Sequence, residues 1–292
     1  MCFWRFSFFP VPLTPFLKIN HVNGMPHDAI PVRLFSEVMH TTEAFLEYLR
    51  FCRPRYFRYQ EGTKVRLEKV DTDIWIVEGS EIVFLGLAIG TRMTVIRFDD
   101  NLLIHSPVAI DDEIVAELAM LGTVKHIVAP NKFHHLFVPA WLVQFPDAQV
   151  YAGPGLAEKR TDIRFDQELA VDATYDWSSA IAHDIFGPNR LFEETVFFHR
   201  TSKTLILTDL IANTKTDNYN FFQRLFARFE GIDYPNGTTP RLYRWSMKSK
   251  TAGRKVVQTM IDWQPERVII SHGEWFRNNG TEELKNRLQW IL

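Results

Sequence analysis

Four short apolar segments of this sequence each end on side chains that can bind a metal ion or transfer a proton. Buried strands are typically continuous runs of Val, Ile and Leu, and ligands collect just beyond the carboxyl ends of such strands. We therefore expect one site assembled from distant parts of the chain. The four endings are His105 after Leu102–Ile104, Asn131–His135 after His126–Pro130, Asp209 after Leu205–Thr208, and His272 after Val268–Ser271.

Histidine and carboxylate side chains of this kind are suitable ligands for a catalytic metal. Such a centre holds the cation with three protein ligands and leaves a position open for water or substrate. The ligand types are present in His134, His135, Asp209 and His272, and His105 could lie next to the ligands. A single histidine after a strand is more often structural, but several at equivalent strand ends favour a shared site.

The elements that must position these residues are strand pairs followed by alternating strands and helices. This order predicts two packed sheets with helices outside, an α/β sandwich of four αββα layers. The predicted strand pairs are 74–78 with 82–87, turning at 78–81, then 93–98 with 102–105, and 195–199 with 204–208. Further strands are predicted at 126–129, 149–152, 180–185 and 267–271, and helices at 111–121, 133–145, 219–230, 251–262 and 281–292.

Over roughly residues 73–292 the sequence resembles the metallo-β-lactamase superfamily. The segment 101–107 resembles the family's early LLIDTG strand and turn, and 128–136 stands at its T-H-x-H-x-D-H metal motif. The segment 205–210 resembles LLFTGD, and 268–274 resembles VIPGHG. The strings APNKFHHLF, FFHRTSKTLILTDL and ISHGE resemble, more narrowly, an uncharacterised DUF4336-type subgroup of that fold.

The resemblance implies that Asp209 and His272 are metal ligands, while the HxHxDH motif is broken. In one alignment Asn131 and Phe133 replace two ligands and His135 takes the Asp position; in the other, shifted by one residue, His134 and His135 match the Asp-His pair. The ligand of the family's PGHT segment has no counterpart at residues 187–190, and His105 stands where the family has Asp. We therefore expect a single-metal site rather than a two-metal site.

Composition limits the remaining possibilities. The chain has 292 residues, and its formal net charge of −2 provides no overall attraction to nucleic acid or acidic membranes. Its two cysteines exclude a disulfide framework and fit a cytoplasm-like, reducing compartment. We expect a poorly ordered leader (1–27), an extension with a helix (28–70) and the metallo-β-lactamase-like domain (71–292). An N-terminal targeting segment remains an alternative, because no acidic residue precedes Asp28, whereas Pro10, Pro12 and Pro15 argue against a membrane span.

The function predicted from these residues is metal-dependent hydrolysis of a small ester, lactone, thioester or amide. One divalent cation, such as zinc, is the expected cofactor, and Asp209 and His105 are the predicted catalytic residues, since Asp209 or a nearby histidine would accept the proton from water. Asn131, Arg92 and His199 are predicted to line the substrate pocket. The alternative is an inactive member of the fold that binds a ligand or partner. Nucleic acid binding through the basic, aromatic segment 50–69 is a minor hypothesis beside a solvated linker.

Overall fold

A computed structural model describes residues 67–292 of the chain, in which two sheets pack together and helices cover their outer faces. The predicted leader (1–27), most of the extension (28–70) and most of the basic segment (50–69) lie outside the described residues. The expectations for these segments, and the domain division that they define, stay predictions.

The strands and helices follow one another along the chain with short connections. The strands are β1 (Glu68–Asp71), β2 (Ile74–Phe84), β3 (Leu87–Phe98), β4 (Asn101–His105), β5 (Thr123–Ala129), β6 (Gln149–Ala152), β7 (Gln167–Glu168), β8 (Ile181–Phe186), β9 (Glu194–His199), β10 (Thr204–Ile206), β11 (Ala212–Asn213), β12 (Arg267–Ile269) and β13 (His272–Gly273). The helices are α1 (Asp112–Leu121), α2 (Val138–Gln144), α3 (Leu156–Lys159), α4 (Phe221–Glu230), α5 (Arg241–Trp245), α6 (Lys250–Asp262) and α7 (Gly280–Arg287).

The first sheet has the order β1-β2-β3-β4-β5-β6-β7, antiparallel from β1 to β4 and parallel from β4 to β7. Successive side chains of a strand point to opposite faces of its sheet. In β2, Ile74 and Ile76 therefore enter the core between the sheets, whereas Trp75 and Val77 pack outward in a cluster with residues of α1 and α2. Both faces of this sheet are buried.

The second sheet has the order β12-β10-β9-β8. Its apolar side chains share one continuous core with the inner face of the first sheet and with α6 and α7, to which Val257, Met260 and Leu284 contribute. The layers are thus α1 and α2, the first sheet, the second sheet, then α6 and α7. The predicted four-layer αββα sandwich is confirmed.

Three local predictions differ from the structure, and one of them is the last helix, which ends at Arg287 rather than at residue 292. The hairpin does not turn at residues 78–81, where β2 continues with an irregularity in its pairing; the turn lies at Leu85 and Gly86, which have φ of 50° and 80°. Two residues with positive φ form a tight hairpin turn that matches strand twist. The predicted helix 133–145 begins only at Val138, because the Asn131 side chain accepts hydrogen bonds from the backbone N–H groups of Phe133 and His134 and holds them in a loop.

The connections after β4, β5, β10 and β12 meet at one edge of the sandwich. A small parallel pair, β11 with β13, joins two of them and places Ala212 opposite His272. Gly273 then has φ of 91°, and a Cβ there would lie 2.1 Å from the Asn213 carbonyl oxygen. Only glycine fits so close an approach, so His272-Gly273 is a sharp, fixed turn. Within residues 67–292, every helix falls short of the length and apolar character that a membrane span requires.

Candidate metal centre

Three of the predicted ligands converge at this edge. The Nε2 atom of His134 lies 3.2 Å from Oδ2 of Asp209, and Nε2 of His272 lies 3.0 Å from Oδ1 of the same carboxylate. One ligand atom from each residue lies within 4.8 Å of the other two, which makes this the one group in residues 67–292 able to hold a metal ion. Of the two histidines left open by the sequence, His134 is the one brought to Asp209 and His272.

The hydrogen bonds of His272 require either a proton or a metal ion between its ring and Asp209. Its Nδ1 atom lies 2.8 Å from the carbonyl oxygen of Gly90, and a carbonyl only accepts, so Nδ1 carries a proton. In a neutral ring, Nε2 would then present a lone pair to the carboxylate oxygen at 3.0 Å, which is repulsive. The contact is attractive only when a proton or a metal ion lies between the two atoms.

The charges at the centre reinforce one another. Burial would raise the pKa of Asp209, but the charges and hydrogen bonds of His134 and His272 outweigh burial and hold it well below its usual range. Burial would likewise lower the pKa of His272, but its hydrogen bond to Asp209, the charge of that carboxylate and the Gly90 carbonyl together raise it. Asp209 is therefore an anion with a strong preference for a neighbouring cation.

Glu194, which the sequence analysis did not single out, fixes the backbone that carries Asp209. Its carboxylate is fully buried and accepts three backbone N–H bonds, from Thr208 at 2.7 Å, Asp209 at 2.7 Å and Leu210 at 2.8 Å. Burial and the adjacent Asp209 carboxylate raise the pKa of Glu194, while the three N–H donors oppose the rise. The only available signal was an acidic residue opening the apolar strand β9.

Asn131 joins the loop that carries His134 to Asp209. Its side-chain amide donates to Asp209 Oδ2 at 2.7 Å and to Thr208 Oγ1 at 3.0 Å. Its carbonyl oxygen accepts from the backbone N–H groups of Phe133 at 2.8 Å and His134 at 3.2 Å. Asn131, which replaces a ligand in one of the two alignments, is thus completely buried and fully hydrogen-bonded, and it orients His134 and Asp209.

Ser106 is a second residue that the sequence analysis did not identify. Its hydroxyl lies 2.6 Å from Nδ1 of His134, the ring nitrogen that faces away from Asp209. The Gly90 carbonyl oxygen binds the corresponding nitrogen of His272. Hydrogen bonds of this kind orient histidine ligands and set their tautomer. The position of Ser106 directly after the His105 strand end was the signal that could have identified it.

His135 does not reach the centre. Its Nδ1 atom accepts a hydrogen bond from Nη1 of Arg160 at 2.6 Å. Burial, followed by the charges of Lys159 and Arg160, lowers the pKa of His135 to about 3, so the ring is neutral. Adjacent residues of a loop point in different directions, which is why His134 and His135 have different partners.

His105 lies behind the centre and is not placed to accept a proton from a reacting water. It is 1% exposed, its ring contacts Phe197 edge-on with centroids 5.1 Å apart, and neither ring nitrogen has a hydrogen-bond partner. Burial, with a smaller effect from His134, lowers the pKa of His105 to about 3. We therefore no longer assign this residue a catalytic role.

Arg92 supports the loop of His272. It is buried, donates to the carbonyl oxygens of Ile270 and Gly273, the latter at 2.8 Å, and pairs with Glu78 at 2.7 Å. Because these groups satisfy most of its donors, Arg92 is a support for the loop rather than a free cation for an anionic substrate. It also lines a cavity of about 570 Å³ beside His272, with Glu78, Glu81, Gly90, Lys215, Tyr219, Gly273 and Glu274 among the lining residues.

His199 lies at the opposite end of the second sheet from the centre. It ends β9, whereas Glu194 begins the strand and binds the Asp209 backbone. Its Nδ1 atom lies 2.8 Å from Oγ of Ser202 in the turn between β9 and β10. The predicted pocket role is therefore replaced by a role in this turn. In residues 187–190, which lie near the spacing of the PGHT segment, Asn189 donates to the Tyr243 carbonyl oxygen at 3.0 Å and contributes nothing to the centre.

Comparison with known proteins identifies both a family and a fold. The family model described as "Domain of unknown function (DUF4336)" matches residues 71–231, more than half of the chain. None of the curated proteins matches the sequence.

Solved metallo-β-lactamases share the fold. The DIM-1 metallo-β-lactamase exposed to ceftazidime is 15% identical with a TM-score of 0.58, over 80% of this chain and 98% of that one. The metallo-β-lactamase from Pontibacter korlensis is 14% identical with a TM-score of 0.54, over 78% and 99%. The mono-zinc form of FIM-1 from Pseudomonas aeruginosa is 13% identical with a TM-score of 0.54, over 78% and 94%.

Proposed function

The chain belongs to the DUF4336 family and has the metallo-β-lactamase fold, and we propose that it is a metal-dependent hydrolase with one divalent cation bound by His134, Asp209 and His272. Zinc is the cation that we propose, since two imidazoles, one carboxylate and an open position match its catalytic sites. The two cysteines of the sequence support a reducing, cytoplasmic location as part of the same proposal.

The observation that carries the proposal is the contact between His272 Nε2 and Asp209 Oδ1, which lie 3.0 Å apart. The other ring nitrogen of His272, Nδ1, already donates its proton to the Gly90 carbonyl oxygen. A proton or a metal ion accounts for this contact, and the proposal favours a metal ion because the second histidine, His134, approaches the other carboxylate oxygen. Both rings are oriented from behind, by Gly90 and Ser106, as metal-binding histidines are. The donor set therefore fits a divalent ion.

When bound, such a cation polarises a carbonyl group and lowers the pKa of a water molecule. The chain's own residues hold the remaining parts of the site in place. Asp209, kept ionised, supplies the anionic ligand for the cation, while Glu194 fixes its backbone and Asn131 its side chain. Arg92 fixes the His272 loop at the wall of the neighbouring cavity.

A cavity of about 570 Å³ adjoins Gly90 and Gly273 on either side of the His272 contact, but His134, Asp209 and His272 do not line it. The class of substrate is therefore proposed from the donor set and the fold, and not from this cavity. We propose an ester, lactone, thioester or amide of modest size, whose carbonyl group the cation would polarise.

The proposal is tested by a panel of nitrophenyl esters, lactones, thioesters and anilides with the full chain reconstituted with zinc, manganese or iron. We expect turnover of at least one class that requires metal and is lost in Asp209→Asn. The matched control is Asp172→Asn, an exposed aspartate away from the centre, which should keep full turnover. Metal-loaded protein without turnover on any class would contradict the hydrolase assignment.

A second candidate function is binding without catalysis. The observation that favours it is the hydrogen bond from the Asn131 amide to Asp209 Oδ2 at 2.7 Å. This bond occupies a carboxylate oxygen that would otherwise be available to bind a metal ion. When a proton rather than a metal ion lies between His272 and Asp209, the three residues form a self-sufficient hydrogen-bonded group. Retention of a small molecule by protein that lacks metal, detected by mass spectrometry after denaturation, would favour this function.

A further inference from the structure

Helix α4 presents an apolar stripe to solvent. Phe221, Phe222 and Leu225 are 73%, 64% and 57% exposed, and Phe229 is 38% exposed. Spacings of three and four residues place these side chains along one side of the helix. Trp245 of α5, 61% exposed, extends the stripe through ring contact with Phe229 at 5.9 Å. Isolated exposed apolar residues are ordinary, but a contiguous aromatic stripe marks an interaction surface.

The opposite side of α4 is already packed. Ala227 is buried in a cluster with residues of β3, and Gln223 donates to the Gly86 carbonyl oxygen at 2.8 Å. Tyr219, just before the helix, donates to the Ala88 carbonyl oxygen at 2.6 Å. The helix is therefore fixed against the β2–β3 hairpin, and the exposed stripe is what remains after the core contacts of α4 are made.

The chain around this stripe is basic. Residues 215–250 contain seven Lys and Arg against three Asp and Glu, a net charge of +4 along this segment in a chain whose total is −2, and Lys215 is paired with Glu274 at 2.7 Å outside the segment. Within α4 the charged side chains are Arg224, Arg228 and Glu230, and Glu230 is buried. Arg228 is 74% exposed and its ion pair with Asp233 is long, at 3.7 Å. Apolar aromatics flanked by arginines therefore form one continuous face.

We propose that this face, made by Phe221, Phe222, Leu225, Phe229 and Trp245 with Arg228 and Arg241 (the α4 surface), docks on an anionic lipid surface. Helices with Phe, Leu and Trp on one side and arginine beside them insert at the boundary between headgroups and acyl chains, and the arginines attract the lipid phosphates. A second copy of the chain is a poorer match, because a symmetric contact would bring two basic faces together.

The test is sedimentation of the full chain with vesicles of phosphatidylcholine alone or with about a third of phosphatidylglycerol. We expect binding to the anionic vesicles, weakened by added salt because exposed charges are screened. The variant Phe221→Ser with Leu225→Ser should bind about a hundredfold more weakly, since two buried apolar side chains are lost. The matched control is Met120→Ser with Val143→Ser, which removes side chains that are 78% and 84% exposed on other helices and should bind as the wild type does.

Both variants carry the same residues 1–66, so any difference in their binding reports the α4 surface alone. Equal binding of the two variants, or no preference of the wild type for anionic vesicles, would overturn the proposal. So would a wild-type dimer that only the α4 variant loses, which would assign the face to a second copy. The charge reversal Arg228→Glu with Arg241→Glu provides an independent variant, expected to abolish binding to anionic vesicles, should the apolar variant not fold.

Discussion

Lowering the pH should destabilise the fold through His105, and the size of the effect follows from its surroundings. The ring is 1% exposed without a hydrogen-bond partner for either nitrogen, and its pKa is lowered to about 3 from 6.5. The folded-state pKa of His105 is lower than the unfolded-state pKa, so the folded chain resists protonation of this ring. The resulting contribution of neutral His105 to stability is present above pH 6.5 and is lost as the pH falls towards 3. Between about pH 7.5 and about pH 5.0 the loss should be about 2 kcal/mol, at about 1.4 kcal/mol per pKa unit.

The measurement is urea unfolding of the wild type, His105→Leu and His105→Gln at both pH values. Other buried histidines, including His126 and His199, also have lowered pKa values, so the wild-type pH dependence has several sources. The difference between wild type and variant isolates His105. Both variants should lose about 2 kcal/mol of pH sensitivity, whatever their stability at neutral pH.

An unchanged pH dependence in both variants would refute the reasoning. It would mean that the pKa of His105 in the folded chain is close to its ordinary value of 6.5, because a group that faces the ring stabilises its protonated form. This result would reopen the question of a role for this residue at the centre.

The three further predictions concern residues that hold the centre in place. Glu194→Gln should cost about 2–4 kcal/mol in urea unfolding, because an amide NH₂ replaces one carboxylate oxygen and faces a buried N–H donor. Asn131→Asp should lower the free energy of unfolding of the metal-free chain, because it places a second carboxylate beside Asp209. The loss of unfolding free energy should be smaller when metal is bound, and equal losses in the two states would contradict this. Arg92→Met should lower metal affinity about 10–100-fold in a chelator competition by releasing the His272 loop.

Much of the fold could be predicted because its cause is local in the sequence. The alternation of apolar residues and the strand lengths gave both sheets, and Asp111 as a capping residue marked the start of α1, where its side chain accepts from the Ile114 N–H. The β2–β3 turn could not be placed, because Glu78-Gly79 has turn composition yet lies at an irregularity within a long strand. A glycine-containing turn and a strand irregularity look alike in one sequence.

The centre was predictable in its parts and not in its arrangement. Asp209 and His272 follow buried strands in a recognisable order, so both could be predicted to lie at one site. The choice between His134 and His135 depends on which way a loop turns, and Asn131 determines that through hydrogen bonds to the loop backbone. Glu194 acts through backbone N–H groups, which have no pattern in the sequence.

The most direct test of the central claim is the metal content of the purified full chain, measured by plasma mass spectrometry for the wild type, His134→Ala, His272→Ala and the control His135→Ala. The arrangement of His134, Asp209 and His272 predicts about one equivalent of divalent metal in the wild type and in His135→Ala, and loss from the other two variants. Less than about a tenth of an equivalent after metal-supplemented growth would contradict the metal centre. Loss in His135→Ala with retention in His134→Ala would contradict the assignment of its ligands.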